Sequence, residues 1–147
     1  MVLKAALALA LLTGSACALA KANEYAEGQV WEYKTRPQDP GSLLKIQKIS
    51  TYPTRVENRV IYHLSIIGVH LNDPATTRTI SHVPVSREAL DDSVTRLSPA
   101  RPFFPAATDG IAEWRKANGG VFTVPIAQII NIVEDTMSKM PAARAVP

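Results

Sequence analysis

Three histidines, His63, His70 and His82, carry most of the chemistry this chain can offer. Catalysis near neutral pH usually draws on histidine, cysteine or paired carboxylates. His63 and His70 are seven apart on one predicted strand. That odd spacing sends side chains to opposite faces, so the two are not expected to share a metal. His63 and His82 can meet across paired strands, but no third ligand is evident, and the three rings read as sheet residues with a hydrogen bond each. No metal site and no cofactor are expected. Ser65 lies two residues from His63 and shares its strand face, as a nucleophile and its base would. No acid completes that set, and neither a G-x-S-x-G elbow nor an S-x-x-K motif is present. Asp91 and Asp92 are adjacent on a predicted helix, diverge by about 100° and read as solvated charges rather than a dyad. Gly119-Gly120 fits no phosphate-loop spacing and reads as a helix stop. No catalytic residue is assigned.

Recognition residues are sparse as well. Between residues 34 and 59 stand Lys34, Arg36, Lys45, Lys48, Arg55 and Arg59, against Asp39 and Glu57, with Tyr52 among them. This modest excess reads as a solvated outer sheet face, and no nucleic acid is expected as partner. Trp31 and Tyr33 share a strand face and read as core aromatics rather than a binding platform. Phe103, Phe104 and Trp114 take the same reading, although phenylalanines set between prolines can form an exposed anchor.

The chain has 147 residues, 46% hydrophobic and 20% charged, an ordinary globular balance for one domain. Residues 1–20, MVLKAALALALLTGSACALA, have a different character. Lys4 precedes an apolar run at residues 5–12, and Ala18-Leu19-Ala20 is a small-x-small end. That is the three-part secretory signal, with cleavage expected between Ala20 and Lys21. The apolar run is too short to span a bilayer, and no later stretch supplies a transmembrane segment. The alternative is a lipoprotein acylated at Cys17, although Gly14 stands where such processing wants a branched apolar residue. Cleavage after Ala20 removes the one cysteine, which excludes thiol catalysis, disulfides and thiolate metal sites. It also removes one lysine, lowering the net charge from +3 to +2, a surplus that favours solubility over polyanion binding.

The remainder reads as one domain over residues 21–140 with a mobile tail at 141–147. Residues 21–28 form a polar lead-in. Trp31, Tyr33 and Thr35 then alternate with charged residues as a half-buried strand does. Pro37, Asp39, Pro40 and Gly41 mark a loop. Strands follow at residues 43–50, where adjacent Leu43 and Leu44 suggest a bulge or boundary, and at 59–71, apolar on both faces and so central. A fourth, at 78–85, holds Pro84, which places the strand at an edge or marks its end. The period then becomes helical. Ser86 caps a helix whose stripe is Ala89, Leu90, Val94 and Leu97, closed by Pro99. A second helix is expected at 106–117, with Ile111 and Trp114 inward. Gly110 weakens it, and glycine's left-handed freedom ends it at Gly119-Gly120. A third starts at Pro125 and carries Ile126, Ile129, Ile130, Val133 and Met137 on one side. The predicted fold class is therefore α+β, a four-stranded antiparallel meander followed by about three helices covering one face.

The stretch Glu27-Gly28-Gln29-Val30-Trp31-Glu32-Tyr33-Lys34-Thr35-Arg36, then Ser42-Leu43-Leu44-Lys45-Ile46, resembles the start of small uncharacterised exported bacterial proteins. Gly120-Val121-Phe122-Thr123, running into Ile129, resembles their C-terminal part. The resemblance implies a bacterial origin and, with the leader, the periplasm or exterior. It implies no activity, cofactor or catalytic residue. The functional expectation is an exported, non-catalytic module that binds an envelope or extracellular protein. The runner-up is a small envelope hydrolase using His63 with Ser65 or His82.

Overall fold

A computed structural model describes residues 22–53 and 57–140. The leader, with Cys17, Ala20 and Lys21, lies outside the described residues, as do Arg55 and the tail at 141–147. Strands β1 (Val30–Tyr33), β2 (Leu43–Pro53), β3 (Asn58–His70) and β4 (Thr77–Val85) precede helix α1 (Arg87–Ser93) and strand β5 (Val94–Leu97). Helices α2 (Thr108–Lys116) and α3 (Ile126–Lys139) follow. All strand pairs are antiparallel, in the order β4-β3-β2-β1-β5. The fold is α+β, with five strands among the described residues rather than four. No described helix is long and apolar enough to cross a membrane.

The fifth strand comes from residues whose spacing also suits a helix. Val94 and Leu97 continue the stripe of Ala89 and Leu90, yet α1 ends at Ser93 and Val94 is extended, at φ −68° and ψ 146°. β-branched Val94 and Thr95 favour that conformation. The free edge of β1 then supplies partners: the Lys34 N–H donates to Ser93 O at 2.9 Å and the Ser98 N–H to Val30 O at 2.8 Å. The start of α1 is as expected, with Ser86 Oγ accepting from the Ala89 N–H.

One face of the sheet carries the apolar core. Leu44, Ile46, Leu64, Ile66, Val83 and Val85 are buried against Leu90 of α1 and Ile126, Ile129 and Ile130 of α3. Each such side chain contributes roughly 1.5–3 kcal/mol on leaving water. Val133 packs at the margin, but Met137 is 41% exposed and falls off the buried stripe. Trp31 and Tyr33 belong to this core. Tyr25 joins them from the lead-in, edge-on to Trp31 at 5.5 Å and to Tyr62 at 5.4 Å, so that segment is tied down by an aromatic contact. Its hydroxyl donates to Asp91 at 2.6 Å.

The helices do not all cover that face. α2 lies on the other side, against His82 of β4 and against His63, one of the β3 residues that alternate with Tyr62, Leu64 and Ile66. The sheet is therefore buried from both sides along the middle of β3. Bulges adjust which residue faces which layer. Gly68, at φ +75°, sits where the β3–β4 register shifts, and core positions change from even (Leu64, Ile66) to odd (Val69, Leu71) across it. His70 therefore shares the non-core side with His63, against the odd-spacing expectation, because the bulge adds one residue to the count. In β2 the shift falls between Ile46 and Lys48, and Leu43 is the strand's first residue, so the adjacent leucines mark a boundary and not a bulge.

Candidate functional site

Under α2 the sheet presents a buried polar layer. His63 pairs with Pro84 of β4, so His82, two residues from Pro84 and on the same face, is its diagonal neighbour. His63 Nδ1 and His82 Nε2 are 2.9 Å apart, with the rings stacked at 5.2 Å. His63 Nε2 lies 2.8 Å from Ser50 Oγ, completing a chain Ser50–His63–His82 across three strands. His63 is 0% exposed. Burial first, then the His82 ring, Arg115 and Lys48, push its pKa down to about 4. Burial lowers His82 as well. Both imidazoles are therefore neutral at pH 7, one donating to the other. The cross-strand meeting of His63 and His82 read from the sequence is present. His70 is elsewhere, with Nδ1 3.3 Å from Asp39. No three His, Cys, Asp or Glu side chains converge on a metal position among the described residues.

The serine on His63 is Ser50, not Ser65. Ser65 Oγ donates to Ser81 O at 2.7 Å and accepts from Gln47 Nε2, which also donates to Pro105 O at 3.0 Å. Ser65 thus fastens the connector before α2 to the sheet. Ser50 carried no sequence signal. Its place beside His63 depends on the β2–β3 register, and the chain alone does not specify where that hairpin turns.

Two glycines let α2 sit this close. A Cβ on Gly110 would lie 2.4 Å from His82 Cβ, so the residue that weakens α2 is the one that lets it reach the sheet. Four residues on, and so on the same helix face, Trp114 meets His63 edge-on at 5.1 Å. Trp114 Nε1 donates to Gly120 O at 2.8 Å, and a Cβ on Gly119 would lie 2.2 Å from its ring. The left-handed residue that ends α2 is Asn118, at φ +48°. The Asn118 N–H donates to Arg115 O and the Gly119 N–H to Trp114 O, a Schellman closure. Gly119 is required by the tryptophan rather than by the helix end.

Trp114 forms one wall of an open pocket of about 300 Å³, lined also by Tyr52, Arg59, Ile61, Arg115 and Asn118. Tyr52 and Trp114 stand edge to face at 6.4 Å. No carboxylate lines it among the described residues.

The basic residues at 34–59 do not make one solvated face. Arg36 is 4% exposed, its Nε 2.6 Å from Asp39 and its Nη1 2.6 Å from Glu134 of α3, while Nη2 donates to His70 O. Burial alone would raise the Asp39 pKa, but the Arg36 guanidinium and the His70 N–H hold it below the usual carboxylate range. This network ties the loop after β1 to β3 and α3, and a lone arginine in a Pro/Gly loop gave no sign of it. Lys45 lies 5.9 Å over the Phe104 ring. Phe104 is buried, whereas Phe103 is 85% exposed. Asp91 and Asp92 are both exposed and form no dyad. No family model, curated protein or solved structure matches the chain.

Proposed function

We propose that this protein is an exported, non-catalytic binding module whose partner is a protein of the cell envelope or exterior. The leader pattern of residues 1–20 supports export. The observation that carries the binding reading is the pocket beside the imidazole pair. It is walled by aromatic and guanidinium groups that recognise, and no histidine, cysteine, serine or carboxylate lines it among the described residues. The one strong base candidate, His63, is sealed from solvent and already bonded on both nitrogens. Immobilised chain beginning at Lys21 should enrich the same protein reproducibly from envelope extract, beyond an unrelated exported control. Failure to enrich any protein overturns the reading. Mass spectrometry of the exported N-terminus separates a free Lys21 from the lipoprotein alternative, an acylated Cys17.

One contact favours a second reading, a small envelope hydrolase. Ser50 Oγ on His63 Nε2 has the reach of a nucleophile and its base. Against it, His82 supplies no negative charge, and Arg115 and Lys48 oppose the imidazolium that a general base must become. Covalent labelling by a fluorophosphonate probe, lost in Ser50→Ala, would establish the hydrolase and displace the binding reading.

A further inference from the structure

We propose that the pocket between Tyr52 and Trp114 binds an aromatic group bearing a single carboxylate, as in an aromatic acid or the free carboxyl end of a peptide with an aromatic last residue. The inference rests on the binding reading above and names its ligand chemistry. Four features support it. The cavity, at about 300 Å³, lies at the small end of the ligand-site range, enough for one ring and one charged group. Its aromatic wall is preformed: Trp114 is held by its N–H on Gly120 O and by contact with His63, so little ordering is left to the ligand. Its floor is apolar, Ile61 being 1% exposed, while Tyr52 opposite is 51% exposed and open to a guest. Arg59 and Arg115 line it and no described carboxylate does; Glu88 feels the Arg59 charge from a neighbouring cleft, and a guanidinium fork matches a carboxylate with paired hydrogen bonds.

The end of α2 narrows the choice of anion. Phosphate sites typically use helix N-termini or nests of backbone N–H groups. This pocket abuts a helix C-terminus, at Arg115, Asn118 and Gly119, where the dipole is partly negative. The two arginines offset that dipole, and a planar carboxylate needs only their fork, not the backbone N–H groups a phosphate site draws on.

Calorimetry and tryptophan emission with N-acetyl-phenylalanine, its amide and phenyl phosphate test the assignment. A pentapeptide ending in phenylalanine, as free acid and as amide, completes the set. The two carboxylates should bind with Kd on the order of 10–1000 µM. Each amide, and phenyl phosphate, should bind at least about tenfold more weakly. Arg59→Gln and Arg115→Gln should each weaken carboxylate binding about tenfold, a loss of one charge-assisted contact, with the melting temperature unchanged. Tighter binding of the peptide acid than of N-acetyl-phenylalanine assigns the site to chain ends, and equal binding assigns it to free acids; both support the proposal. Equal binding of acid and amide, preference for the phosphate, or no binding at millimolar concentration overturns it. If the double arginine variant still enriches the envelope partner while no aromatic carboxylate binds, the pocket assignment fails and the binding reading stands.

Discussion

The two faces of the β-sheet solve burial differently, and neighbouring residues of one strand show it. Leu64 and His63 are both 0% exposed. Leu64 lies among Ile46, Val83 and Ile129, where close packing of apolar atoms supplies the stability. His63 lies among Ser50, His82 and Trp114, where each polar atom is tolerated because it has a partner. Among the described residues, no buried side-chain nitrogen or oxygen lacks one. The apolar face asks only for oil of the right volume. The polar face asks for particular partners, and it sits beside the pocket.

That contrast can be broken from either side. The largest effect is expected on the apolar face. Leu64→Ala leaves a cavity under α3 and should cost about 3–4 kcal/mol in urea denaturation, with no new dependence on pH. Acid attacks the other face. An unfolded histidine titrates near pH 6.5, whereas His63 resists protonation down to about 4. Between those values the unfolded chain takes up protons that the folded chain refuses. Stability should therefore be full above pH ~6.5 and fall as the pH drops, by about 3 kcal/mol for His63 by pH ~4. Denaturation midpoints measured across this window should show the slope, and His63→Gln should flatten it even if that variant is less stable throughout. Loss of the Asp39 contribution belongs below this window, because its depressed pKa keeps it ionised there.

Smaller changes sharpen the comparison. Gly110→Ala should destabilise by about 1–3 kcal/mol through contact with His82, although the exchange favours an isolated helix by roughly 1 kcal/mol. A rise in melting temperature would show that α2 does not press on the sheet. Ser65→Ala removes the donor to Ser81 O and the acceptor for Gln47, and should cost about 1 kcal/mol. An unchanged melting temperature there would mean that the connector before α2 is held by Phe104 and Ala107 instead.

Much of the fold could be read in the residues. Alternation located β1, an apolar run on both faces located β3, Pro84 pointed to an edge or a strand end, Ser86 capped α1, and Pro125 opened α3. Val94–Leu97 was lost because helical spacing and strand propensity coincide there, and an unpaired edge decided between them. At the candidate site, the meeting of His63 and His82 was foreseeable from strand pairing. Ser50, the role of Gly110 and the slot around Trp114 were not, because each depends on contact with an element far away in the chain.

What these residues determine unaided is local: where the backbone extends, where it coils, and which side chains seek burial. Periodicity and capping act within a few positions, so they can be read without knowing the neighbours. The tertiary structure alone decided which face of the sheet α2 would cover, which serine would meet His63, and where an arginine pair would gather around two aromatic rings. Those outcomes follow from register and bulges, and a single added residue such as that at Gly68 turns every later side chain to the other face.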